Sequence, residues 1–188
     1  MAKVTRWELD PDHTTVEFSV KHMMFTTVRG RFTGVQGFIE VDEANPDRSW
    51  VEVTIDAASI DTAVADRDRH LRSADFLDVQ DHPQLTFRST RIDEAAFREG
   101  KSFRVEGELT IRGQAMAVEL DTTYQGRGKD PWGGERAGFA ATTEIDRRDW
   151  GLKWNQALET GGILVGNNVR IDIDAQAVRK ESRQEEAA

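Results

Sequence analysis

Histidine is the side chain most ready to do acid–base or metal chemistry near neutral pH, and the chain has four: His13, His22, His70 and His82. They are scattered over four segments, with no HxH, HExxH or facial-triad spacing to converge on one ion. No metal or other cofactor is expected. With no cysteine, thiolate nucleophiles, thiolate metal sites and disulfides are excluded. There is no GxSxG elbow, no phosphate-cradling loop and no GxGxxG after a strand. Gly133-Gly134 and Gly161-Gly162 read as turns. Asp66 and Asp68 lie on a helical stretch with arginines between them, which predicts a solvated, salt-bridged face. His22, on the apolar register of a strand, reads as a buried, hydrogen-bonded histidine, and His70 and His82 read as capping or packing residues. No catalytic residue is assigned.

The elements that must position these residues are mostly strands. Val16, Phe18 and Val20 alternate with Glu17, Ser19 and Lys21, the period of a half-buried strand. The same alternation recurs at Val51, Val53 and Ile55, at Leu85 and Phe87, and at Phe103, Val105, Leu109 and Ile111. Val118 and Leu120 form the return strand of a hairpin through Arg112-Gly113-Gln114. Phe139 to Ile145 and Ile163 to Ile173 complete the set. Gly30, Gly34 and Gly37 interrupt one strand pair, as glycines do where a sheet bends sharply. Asp66 to Arg72 is too polar for a strand and predicts one helix. Asp146 to Gly151 predicts a short helical turn.

These patterns point to an all-β closed antiparallel barrel of about eight strands with one short helix near an opening. Residues 1–179 form one domain of ordinary composition, and the charged stretch 180–188 reads as a frayed tail. Sixteen apolar positions would face the interior: Val16, Phe18, Val20, Val51, Val53, Ile55, Leu85, Phe87, Leu109, Ile111, Val118, Leu120, Phe139, Ile145, Val169 and Ile171. A barrel of this size either fills with side chains or holds one small ligand.

The net charge of −9 argues against nucleic acid as partner, because phosphate binding rests on Lys and Arg. No window has the ~18 apolar residues of a membrane span. MAKVTRWELD lacks an apolar signal-peptide core, so the expected location is cytoplasmic.

Seven motifs in order carry a resemblance over nearly the whole chain: Leu9-Asp10-Pro11-Asp12-His13 with Phe18 and His22; Val28-Arg29-Gly30-Arg31-Phe32; Ala58-Ser59-Ile60-Asp61-Thr62; Arg67-Asp68-Arg69-His70-Leu71-Arg72-Ser73-Ala74-Asp75-Phe76; Thr86-Phe87-Arg88-Ser89-Thr90; Gly107-Glu108-Leu109-Thr110-Ile111; and Asp130-Pro131-Trp132-Gly133-Gly134. The chain resembles the YceI-like family of bacterial polyisoprenoid-binding proteins. It departs from that pattern at Gln114-Ala115-Met116-Ala117, where the family has Thr-Lys-Pro, and at the less typical stretch from Trp150 to Gly162.

The resemblance implies a lipocalin-like barrel holding an isoprenoid or fatty chain, as carrier, store or chaperone, and a homodimer. The alternative is a barrel-confined enzyme, a cyclase or isomerase acting on a polyene, with His22 at its centre. Expected ligand contacts are Phe18, Val20, His22, Phe32, Val53, Ile55, His70, Phe87, Leu109, Ile111, Leu120, Trp132, Phe139, Asn155 and Ile171. Polar recognition would fall to His22, His70, Arg72, Trp132 and Asn155.

Overall fold

The computed structural model describes residues 4–93 and 96–180. Its strands are β1 (Val4–Leu9), β2 (Thr15–His22), β3 (Thr26–Phe32), β4 (Val35–Asp42), β5 (Trp50–Asp56), β6 (Ile60–Asp61), β7 (Gln84–Ile92), β8 (Ser102–Ile111), β9 (Gln114–Lys129), β10 (Glu135–Asp146) and β11 (Val165–Lys180), with one α-helix, α1 (Ala65–Arg72). Lys180, expected in the tail, pairs with Arg6 as the last residue of β11. Residues 181–188, the rest of that tail, lie outside the described residues.

Every strand pairing is antiparallel, and the order β1-β4-β5-β7-β8-β9-β10-β11 closes on itself through β1 and β11. Closure leaves this ring without unpaired edges. β11 pairs with β10 on one edge and with two partners along the other: β2 over Val165 to Asp174, and β1 over Ala177 to Lys180. β1 and β2 therefore act as one staff, bent at the 3-10 turn Pro11–His13, which Asp10 caps by accepting from the Asp12 N–H. β3 and β4 make a second bent staff around Thr33 and Gly34, pairing with β2 and β1 respectively. The result is a barrel of eight staves.

Two glycines set how closely the wall packs. A Cβ on Gly107 would lie 2.5 Å from Cζ of Phe87 on the neighbouring strand, and one on Gly30 would lie 2.4 Å from Cζ of Phe18. Each glycine makes room for an aromatic ring on the adjacent staff, and so lets the sheet curve tightly around it.

Buried apolar residues form two clusters. One, around Ile55, Leu77, Leu85, Ile111, Trp150 and Leu152, lies towards the α1 end. The other, around Trp7, Ile39, Phe87, Phe103, Val105 and Tyr124, lies towards the opposite end. Val53, Leu109 and Val118 touch both.

Helix α1 is held by polar contacts rather than by an apolar stripe. Asp66 is exposed and pairs with Arg69 at 2.9 Å, as the solvated-face reading predicts. Asp68 corrects that reading. It is buried, and its Oδ1 accepts from the N–H and hydroxyl of Thr62 at 2.8 and 2.6 Å. Arg67 donates to the Thr62 hydroxyl and carbonyl, and Arg72 donates to the carbonyls of Ala58 and Ile60. The charged motif thus clamps the helix to the turn after β5, and Leu71 projects inward.

Candidate functional site

The alternation of each stave turns its apolar side chains inward, and these do not fill the barrel. A cavity of about 280 Å³ remains, bounded by Ile92, Phe97 and Phe103 towards one end and by Leu71, Phe76, Leu77 and Leu152 towards the other. Its volume lies near the lower end of the ~300–1,000 Å³ of small-molecule sites. All sixteen positions assigned to the interior from strand period line it.

Of the residues expected to meet a ligand, Phe18, Val20, Phe32, Val53, Ile55, Phe87, Leu109, Ile111, Leu120, Phe139 and Ile171 are on the cavity wall. His22, His70, Trp132 and Asn155 are not among its lining residues, nor is Arg72. His22 sits at the tip end of β2, opposite Val165 and Thr26. His70 bonds through Nε2 to Asp75 at 2.9 Å and meets the rings of Phe76 and Trp154 edge-on. Asn155 accepts from the Val165 N–H and donates to the Val165 carbonyl, fixing the loop to the start of β11. Trp132 is 87% exposed at the tip of the β9–β10 hairpin. Its motif serves a turn, in which Asp130 accepts from the N–H groups of Trp132 and Gly134.

Two parts of the site went unread in the sequence. Phe97, in the connection between β7 and β8, packs against Phe103, Tyr124 and Phe139, with ring centroids 6.2–6.4 Å apart. This aromatic group stops one end of the cavity. Arg147 is the other. It reaches the cavity wall and is 4% exposed. Its Nε donates to the Gly166 carbonyl at 2.9 Å, Nη1 to Leu152 at 2.6 Å and Nη2 to Val165 at 3.4 Å. Burial pushes its pKa down, with Asp146 pulling the other way. Asp146 itself is engaged by Arg148 at 2.6 Å and held down to about 2, chiefly by that bond. Arg147 opens the helical turn after β10, where strand period gives no signal for it.

Outside the barrel, Arg136 joins two of the sequence motifs to β11. It donates to Asp10 at 2.6 Å, to Asp130 at 2.8 Å and to Gln176 at 2.7 Å. Among the described residues no group of three histidine or carboxylate side chains is placed to hold a metal. No helix among them is long and apolar enough to cross a membrane.

The model of the YceI-like domain matches residues 7–177. The chain belongs to the YceI-like family. It is 39% identical over 152 residues to a UPF0312 protein of Pectobacterium carotovorum, covering 81% of this chain and 77% of that one. A Vibrio cholerae UPF0312 protein is 38% identical over 141 residues, covering 75% and 73%. Among solved structures, the Campylobacter jejuni YceI protein aligns with a TM-score of 0.71 at 27% identity, over 86% of this YceI-like chain and 90% of that one. Burkholderia cenocepacia BcnA aligns at 0.76 with 24% identity, over 89% and 98%. A polyisoprenoid binding domain from Saccharophagus degradans aligns at 0.65 with 15% identity, over 96% and 100%. These last two share the barrel fold.

Proposed function

We propose that this YceI-like barrel binds a single isoprenoid or similarly long apolar chain in its interior, and serves as a carrier, store or chaperone for it. The observation that carries the reading is the cavity itself, walled by apolar side chains from Phe97 to Leu152. Membership of the family and the polyisoprenoid binding of the Saccharophagus neighbour support the choice of chain.

The energetics favour a chain over a compact polar ligand. Each buried methylene contributes about 0.8 kcal/mol, so one five-carbon unit contributes ~3–4 kcal/mol gross. Several units outweigh the ~4–15 kcal/mol cost of association without many polar contacts. Barrel-confined chemistry rested on His22, which is not among the residues that line the cavity; binding is therefore preferred to catalysis. A homodimer and a cytoplasmic location belong to the same proposal, and light scattering and cell fractionation test them.

Mass spectrometry of solvent extracts, taken from protein purified out of its own host, tests the reading. One isoprenoid or fatty chain per barrel is the expected result. Recovery of a linear polyene beside its cyclised product would instead favour an enzyme.

A further inference from the structure

The β2–β3 hairpin turns at Met23-Met24, where the Phe25 N–H donates back to the His22 carbonyl at 3.1 Å. Met23 and Met24 have φ of +50° and +64°, the left-handed pair that Asn-Gly ordinarily fills in such a turn. A methionine at either position costs backbone energy, and neither joins a core cluster. Met23, Met24 and Phe25 are instead 42%, 62% and 82% exposed. Three consecutive exposed apolar residues are rare on a surface that binds nothing, and strain kept without a packing return points to function.

A second tip stands beside this one. Residues 157–163 double back through a bridge between Ala157 and Ile163. The Met23 N–H donates to the Leu164 carbonyl at 2.8 Å, and a Cβ on Gly162 would come 2.4 Å from Sδ of Met24. Both tips lie just past Val20, Val165 and Leu152, which line the cavity. Their charge differs from that of the whole. Residues 15–32 and 152–165 carry Lys21, Arg29, Arg31 and Lys153 against Glu17 and Glu159, in a chain of net charge −9. Arg31 pairs with Asp61 at 3.5 Å. Lys21, Arg29 and Lys153 are exposed, and among the described residues none of them is in an ion pair. With a Debye length of ~8 Å at physiological salt, acidic faces farther off are screened. Exposed methionine and phenylalanine flanked by cations suit the surface of an anionic bilayer. The apolar side chains enter the acyl boundary, and the cations stay among the headgroups.

We propose that the Met23-Met24-Phe25 tip, with its neighbour at residues 157–163, docks the barrel on a bilayer that carries anionic headgroups. Docking there sets the Val20 end of the cavity against the lipid. The surface is argued from exposure, backbone and charge, so it does not depend on what the cavity holds.

The experiment is co-sedimentation of the intact protein with two kinds of vesicle: phosphatidylcholine alone, and phosphatidylcholine with phosphatidylglycerol in equal parts. Wild type should partition at least about tenfold more strongly onto the mixed vesicles. In the triple variant Met23→Asn, Met24→Gly, Phe25→Ser that partitioning should fall at least about tenfold. Its melting temperature should hold or rise, because the turn gains the residues it prefers. Lys21→Gln and Lys153→Gln should each weaken binding to mixed vesicles about fivefold. Trp132→Ser should leave it unchanged, since Trp132 sits beyond the opposite end of the β10–β11 pair. Wild type that ignores both vesicles, partitioning unchanged in the triple variant, or partitioning lost in Trp132→Ser overturns the proposal. So does a wild-type dimer in light scattering that the triple variant converts to monomer, because the tips then cover each other.

Discussion

Arg136 and Asp10 lie 126 positions apart in the chain and meet at 2.6 Å on the outside of the barrel. The same guanidinium holds Asp130 at 2.8 Å, so it ties the bend between β1 and β2 to the β9–β10 hairpin. Both carboxyls are held below their ordinary 3.8, with the Arg136 bond as the largest cause. The unfolded chain therefore takes up these protons at higher pH than the native one does. The stabilisation is complete above about pH 4 and is lost as pH falls through the native values. Thermal melts from pH 7 to pH 2.5 should show an acid limb that is shallower in the double variant Asp10→Asn, Asp130→Asn. Arg136→Gln should melt lower than wild type at pH 7, and the deficit should shrink below pH 3. An acid limb of unchanged slope would remove the clamp from the account.

Asp68 is buried, and it satisfies the Thr62 backbone N–H. Asp68→Ala leaves that donor and its neighbouring hydroxyl without their acceptor, at a cost of about 1–3 kcal/mol. Asp66→Ala, on the exposed side of α1, should cost at most about 0.5 kcal/mol. Urea unfolding of the two variants side by side makes the comparison, and equal losses would contradict the helix clamp.

Gly107 faces the Phe87 ring and the Arg88 carbonyl, where a Cβ would approach to 2.5 and 2.6 Å. Gly107→Ala should therefore destabilise by about 1–3 kcal/mol through overpacking. Adding Phe87→Leu should recover part of the loss, because the two positions share one space. Strict additivity of the two changes would show that the ring is not what the glycine accommodates.

Phe97 closes one end of the cavity with a half-buried ring. Phe97→Ala should cost less than the ~3–5 kcal/mol of a fully enclosed phenylalanine, and should speed ligand release by opening that end. Stopped-flow displacement of a bound fluorescent fatty chain reads the rate. An unchanged rate would mean that the ring does not act as a stop.

The barrel and its interior face were legible because strand period is a local property: Val51, Val53 and Ile55 declare their common side whatever they pair with. Arg147 was not, since it opens the short helical turn after β10, where strand period no longer assigns a face. Nor was Phe97, since a single phenylalanine after Ala95-Ala96 shows no strand period. Its φ of +67° is set by the loop it closes. Asp68 looked solvated beside Asp66 because its Thr62 partner lies across a turn, outside the helix pattern. His22, His70, Trp132 and Asn155 had suitable chemistry, but contacts outside the strand pattern decide where such side chains point. His70 is engaged by Asp75 and Trp154, and Asn155 by Val165.

The central claim, that the apolar cavity holds a chain, is tested most directly by displacement titration with geraniol, farnesol and geranylgeraniol. Wild-type protein is compared with Leu109→Trp, which places an indole at a wall position touching both core clusters. The account predicts that wild-type affinity rises at least about tenfold per isoprene unit until the cavity is full. It also predicts that a Leu109→Trp protein with the wild-type circular dichroism spectrum loses most of that affinity. Affinity independent of chain length, or equal in the two proteins, would contradict it.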